Sequence, residues 1–171
     1  MRRLVPAFLA LGLLLALVPT GAAAQTYSVD APKALVRQIA KSKATSDVPV
    51  LLPSRVRADR KRLFGRGTST STGYALGLDL TRSCGGANAC ALAFFSAERG
   101  GQPFATRRVQ LANGTTGYFK PLSCGASCSP PSIEWVLDGV LYEIQADVGG
   151  RKWERRRLVA LADSAIKNGP R

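Results

Sequence analysis

The chain has 171 residues, 24 of them Lys or Arg against 11 Asp or Glu, and no histidine, for a formal net charge of +13. The missing histidine excludes Ser-His-Asp and Cys-His nucleophile arrangements and His-ligated metals, and it removes the commonest general base near neutral pH. A positive excess of that size attracts anionic partners.

In chain order, the first element is a three-part export signature. Arg2 and Arg3 precede the apolar run Ala7 to Val18, and small residues follow at Ala22, Ala23 and Ala24. That order predicts a secretory signal cut between Ala24 and Gln25. The rival, an uncleaved anchor, needs about 20 apolar residues. The run has 12, and Pro19 and Gly21 end it. No Cys follows the cut, so no lipid anchor is expected there, and Met1, Leu4 and Val5 fit a twin-arginine signal poorly. Of the 24 basic residues two precede the cut, which leaves 22 against 11 acids over 147 residues, about +11. That length suits one domain with a real core. No later stretch is apolar for long enough to cross a membrane, and no internal repeat is visible.

Residues 31 to 42 read as a helix, with Asp30 as N-cap, Pro32 in the first turn and Leu35, Val36, Ile39 and Ala40 on one face. Val48 to Leu52 reads as a short strand closed by Pro53. The stretch Arg55 to Gly73 is basic, then rich in Gly, Ser and Thr, and is expected to begin as loop. From Tyr74 the period becomes two. Tyr74, Leu76, Leu78 and Leu80 share a face, and so do Cys90, Leu92 and Phe94 after the cysteine loop. Asn113-Gly114 joins Arg107 to Ala112 with Thr115 to Lys120, and Asp138-Gly139 joins Ile133 to Leu137 with Val140 to Ala146. Both dipeptides suit type I′ turns, whose central residues need positive φ. The second turn sets Trp135 opposite Tyr142 and Ile133 opposite Ile144. Glu154 to Lys167 is a helix with Leu158, Leu161, Ala162, Ala165 and Ile166 in one stripe, stopped by Asn168-Gly169-Pro170. The expected fold is a single α+β domain over residues 25–171. It has a curved antiparallel meander of about six strands, with an N-terminal and a C-terminal helix packed on it.

The cysteines are Cys84, Cys90, Cys124 and Cys128. Three pairings exist. Cys84 with Cys90 and Cys124 with Cys128 is favoured, because each closes a short flexible loop in a chain bound for an oxidising compartment. A four-Cys zinc site is the rival, but Cys84 and Cys90 are spaced too widely for its usual pairs. No C-x-x-C is present, so the cysteines read as structural. No metal and no cofactor is expected.

Trp135, Asp138-Gly139 and Tyr142, followed by a helix containing Leu158-Val-Ala-Leu-Ala162-Asp-Ser164, resemble the end of certain bacterial extracytoplasmic domains of unknown function. There a W-x-x-x-G-x-x-Y hairpin precedes a helix of pattern L-x-x-[LI]-A-x-S. Val48-Pro-Val-Leu-Leu-Pro53 is similar to the P-V-x-L-P entry strand of uncharacterised secreted relatives. The Cys84 to Cys90 loop is similar to their C-x-G-A-x-A-C element, with one residue of variation. Those domains are in turn similar to the half-barrel of outer-membrane lipoprotein carriers. The resemblance implies helices over a concave sheet, and only its more remote part implies lipid carriage.

The acids are Asp30, Asp47, Asp59, Asp79, Glu98, Glu134, Asp138, Glu143, Asp147, Glu154 and Asp163. Glu134 and Glu143 fall opposite each other on the polar side of the second hairpin. They are a candidate catalytic pair in the manner of glycoside hydrolases, weighed against a solvated face with Arg neighbours, and the solvated face is preferred. Phe64-Gly65-Arg66-Gly67-Thr68 has glycines but lacks a G-K-[ST] ending, so it is no phosphate loop. Arg55, Arg57, Arg60, Lys61, Arg62 and Arg66 form one basic cluster, and Arg151, Lys152, Arg155, Arg156 and Arg157 form another. Each is read either as ordinary solvated surface or as a patch for an anionic envelope polymer or lipid. Export makes intracellular nucleic acid an unexpected partner. Trp153 is read as a membrane-interface anchor or, in preference, as a staple packing the entry of the last helix. The functional expectation is a non-enzymatic secreted or periplasmic domain that binds a ligand or envelope component. Electrostatic binding to anionic polymers and inhibition of an extracellular enzyme are the alternatives.

Overall fold

A computed structural model describes residues 25–171. The expected signal and its cut site lie outside the described residues. The described chain is α+β, a seven-strand antiparallel sheet with a helix from each end of the chain packed on it.

Strand β1 (Tyr27–Asp30) pairs with β2 (Arg55–Ala58) in a small ladder of its own. Asp30 ends β1 and caps the helix that follows, accepting a hydrogen bond from Lys33 N at 2.8 Å. The predicted helix is two, α1 (Ala31–Ala34) and α2 (Val36–Thr45), with a break at Leu35. Leu35 is buried at the break, whereas Val36 points outward at 62% exposure, against the face expected for it.

Val48 to Leu52 is not a strand. It is buried apart from Pro49, and among the described residues it touches a neighbouring backbone through one bridge between Leu51 and Pro170 and a bond from Arg171 N to Val50 O at 3.0 Å. Two tyrosines from the sheet satisfy it. Leu51 N donates to the Tyr74 hydroxyl at 3.1 Å, and the Tyr142 hydroxyl donates to Pro49 O at 3.2 Å. Burial raises the pKa of both phenols, that of Tyr142 to about 12, so both stay protonated and able to donate.

Next come β3 (Phe64–Thr70), β4 (Gly73–Asp79), β5 (Ala91–Arg99), β6 (Arg107–Gln110), β7 (Thr116–Lys120), the two-residue β8 (Ser123–Cys124) and β9 (Cys128–Ser129), β10 (Ser132–Leu137) and β11 (Val140–Ala146). The main sheet has the order β3-β4-β5-β11-β10-β7-β6. The expectation of loop from Arg55 onward is corrected, because β2 and β3 both fall in that stretch. β3 is glycine-rich for want of room. A Cβ on Gly65 would lie 2.5 Å from Ala34 O, so only glycine lets the first helices sit this close to the strand. The Asp138-Gly139 hairpin has the predicted register, Trp135 against Tyr142 and Ile133 against Ile144, with φ of 51° and 73° at the turn. In β5 the assignment of faces reverses. Ala93, Phe95 and Ala97 face the core opposite Leu78, Leu76 and Tyr74, while Phe94 lies on the other side.

Helix α3 (Glu154–Asn168) buries Leu158, Ala162, Ala165 and Ile166 against the sheet. Its Ser164 hydroxyl accepts from Ser54 N at 3.0 Å, its Asp163 carboxylate accepts from Ala112 N at 2.6 Å, and Gly169 ends it with φ of 66°. Trp153 is no staple. It stands 43% exposed under Lys152, and Glu154 anchors the helix entry by accepting from Leu122 N at 3.2 Å. The helix-covered face is packed with side chains, among them Trp135, Phe95, Leu76, Leu78, Ile133, Ile144 and Leu158.

Cys84 bonds Cys90 and Cys124 bonds Cys128. Disulfides form and persist in oxidising compartments outside the cytoplasm. No helix among the described residues is long and apolar enough to cross a membrane.

Candidate functional site

The other face of the sheet carries no helix, and its register sets a row of polar side chains across five strands. Ser96 on β5 faces Glu143 on β11, Glu143 faces Glu134 on β10, Glu134 faces Tyr118 on β7, and Tyr118 faces Arg108 on β6. The loop from β5 to β6 folds over this row. Gly101 makes that fold possible, since a Cβ there would lie 2.9 Å from the Leu141 side chain.

Glu134 is not solvated, as the sequence led one to expect, but 5% exposed. Its Oε2 accepts from Phe104 N at 2.8 Å and from Ala105 N at 2.9 Å. Charge-assisted bonds to successive backbone N–H groups fix the loop there and offset the cost of burying the carboxylate. Phe104 itself projects outward, 89% exposed. Beside it a cleft of about 450 Å³ is lined by Pro103, Val136, Tyr118 and the Asn113-Gly114 turn.

Glu143 is held above the usual carboxylate range, first by burial and then by the facing Glu134, with Ser132, Lys120 and Ser96 pulling the other way. A carboxyl whose pKa is raised on folding favours the folded state when protonated. That contribution is complete below about pH 4, where the unfolded group also protonates, and is lost as pH rises through the raised folded value. Glu143→Gln is therefore expected to melt higher than the parent at pH 7, with the gap closing as the pH falls toward about 4. Thermal melts across that range check this, and a variant that melts lower at pH 7 contradicts it.

The two basic clusters are not brought together. Ser54, next to Arg55, bonds Ser164 and Asn168 at the C-terminal end of α3, whereas Arg151 to Arg157 surround its N-terminal end. A helix of 15 residues is about 22 Å long. Several members are also committed. Arg55 bonds Ser28, Arg66 bonds Asp79, and Arg157 bonds the carbonyls of Val148 and Gly149. Arg57, Arg60, Lys61, Arg62, Arg151, Lys152, Arg155 and Arg156 are exposed. No group of three or more His, Cys, Asp or Glu able to hold a metal occurs among the described residues.

The loop carrying Phe104 has no periodic signal in the sequence, and its shape comes from the distant Glu134 and from a bond of Gly100 N to Gly139 O at 2.8 Å. No family model matches the chain, nor does any curated protein or solved structure.

Proposed function

We propose that the chain works in the periplasm or outside the cell as a non-enzymatic domain that meets a ligand or protein partner on the helix-free face of its sheet. Phe104 carries this reading, an exposed aromatic whose backbone is fixed by a buried carboxylate beside a cleft. Exposed aromatics on rigid supports lose little entropy on docking, and aromatic residues supply much of the energy of natural interfaces.

Two further observations support it. Glu134 spends its charge on the backbone of the loop, which leaves the Glu134 and Glu143 pair without the second free carboxylate that glycoside hydrolysis needs. A carrier of acyl chains needs a hollow between helices and sheet, and here that space is filled by Trp135, Phe95 and their neighbours. An extracellular hydrolase with an acidic surface is one fitting class of partner, since the chain is strongly basic.

The test is capture of partners from an extracytoplasmic extract by immobilised wild type and by Phe104→Ala. The wild type is expected to retain partners that the variant loses about tenfold or more, the size of effect typical for a central aromatic. Equal retention by both, or none by either, would sink the reading.

A second reading rests on charge. Among the described residues one ion pair forms, Arg66 with Asp79, so most of the basic excess is left to attract anionic envelope polymers.

A further inference from the structure

The helix-free face has a second concavity, across the carboxylate row from Phe104 and between the two disulfide loops. It measures about 270 Å³, and Arg66, Gly86, Asn88, Phe94, Gln145 and Asp147 help to line it. Ligand clefts run upward from roughly 300 Å³. This one therefore suits a group about the size of a single sugar ring.

Arg66 is built into it. The register runs from Arg66 on β3 through Gly77 on β4 and Phe94 on β5 to Gln145 on β11. The guanidinium lies where side chains would otherwise stand. A Cβ on Gly77 would be 2.5 Å from its Cζ, and one on Gly86 would be 2.9 Å away. Its Cζ sits 5.7 Å from the centre of the Phe94 ring. Nε alone bonds the buried Asp79, at 3.0 and 3.1 Å to the two carboxylate oxygens. The two terminal nitrogens bond nothing among the described residues. An arginine that only neutralised Asp79 would gain more by using its paired nitrogens. Here that pair is left as a fork of the kind that matches carboxylate, phosphate or sulfate.

The other polar groups supply the complement. Asn88 donates its amide N–H to Cys128 O at 2.8 Å, and Gln145 donates to Pro130 O at 3.3 Å. Each amide oxygen is left as an acceptor without a partner among the described residues. Asp147 uses one oxygen to accept from Gly149 N. Arg62 and Arg82 flank Phe64, one turn of the pleat from Arg66, with guanidinium carbons 5.3 and 5.6 Å from the ring centre. Arg66 and Asp147 are the charged residues of the lining, and Arg62 and Arg82, outside it around Phe64, add positive charge beside it. A ligand that satisfies it has one anionic group for the fork, several hydroxyl donors for the acceptors and an apolar face for Phe94.

We propose that this cleft binds an acidic sugar, a monosaccharide unit that carries a carboxylate, phosphate or sulfate. This rests on the helix-free face being the binding face.

The test is titration of glucuronate and glucose 6-phosphate into the protein, with glucose and inorganic phosphate as controls, followed by amide chemical shifts. At least one acidic sugar is expected to bind one site saturably, shift the Gly86 and Phe94 amides, and bind about tenfold or more tightly than either control. The double variant Arg66→Gln with Asp79→Asn removes the fork and the charge it would orphan, and should weaken binding about tenfold. Gln145→Ala should weaken it by less, and decides the matter if the double variant does not fold. Absence of saturable binding, phosphate binding as tightly as the sugars, or full binding by a folded variant would each overturn the assignment. A wild type that captures partners through Phe104 but ignores acidic sugars loses this assignment alone.

Discussion

Trp135→Ala is expected to cost about 3–5 kcal/mol, the usual range for emptying a buried aromatic site. That is a large share of the 5–15 kcal/mol that holds a typical domain folded. Trp135 is 1% exposed at the middle of the helix-covered face and stacks on Tyr142, with ring centres 5.6 Å apart and planes 16° from parallel. Urea unfolding measures the loss, and a change under about 1 kcal/mol would mean that the core lies elsewhere. Trp135→Phe separates size from polarity. The indole Nε1 is buried without a hydrogen-bond partner among the described residues, a cost of about 1–3 kcal/mol that phenylalanine does not carry. The phenylalanine variant should therefore lie much nearer the wild type than its loss of volume alone would put it.

Glu134→Ala has the second largest expected effect. It removes two charge-assisted hydrogen bonds from the loop, each worth about 1.5–3 kcal/mol. Relief of the repulsion on Glu143 returns part of that, so a net loss of about 2–4 kcal/mol is expected, concentrated in the loop. Amide hydrogen exchange at Phe104 and Ala105 reads it directly, with protection expected to fall at least about thirtyfold. Glu134→Gln should fall between, because an amide oxygen still accepts. Unchanged protection in the alanine variant would show that something other than the carboxylate holds the loop.

The Asp138-Gly139 hairpin was legible residue by residue because a two-residue turn leaves the pairing no freedom. Helix α3 was legible from its stripe, and the disulfides from the shortness of their loops. The faces of β5 were not. Leu92 and Phe94 are more apolar than Ala93 and Ala97, so pattern alone points to the wrong side. Phe94 lies instead on the helix-free face beneath Arg66, and the irregularity in the pairing at Leu78 and Asp79 interrupts the alternation inferred along the neighbouring strand. Glycines at 65 and 67 read as loop because glycine usually marks one, whereas here they record the close approach of α2. Residues 48–52 have the composition of a strand but spend their backbone groups on tyrosine hydroxyls, a choice made by residues far along the chain. The carboxylate pair was placed correctly, yet its burial depends on a loop some thirty residues before Glu134. Interactions at that separation leave no local mark on either partner.

The strand order also bears on how the molecule assembles. β3, β4 and β5 are joined in sequence, as are β6, β7, β10 and β11 apart from the small excursion through β8 and β9, so each group can pair through nearby contacts. Within the sheet the groups meet only where β5 lies along β11, with Phe95 against Ile144 and Ala97 against Tyr142. Short loops close quickly and long ones slowly, so this single seam sets the folding rate. The segment that crosses from one half to the other is the loop bearing Phe104. A chain cut there would yield two half-sheets, each with one newly exposed edge that the other half completes.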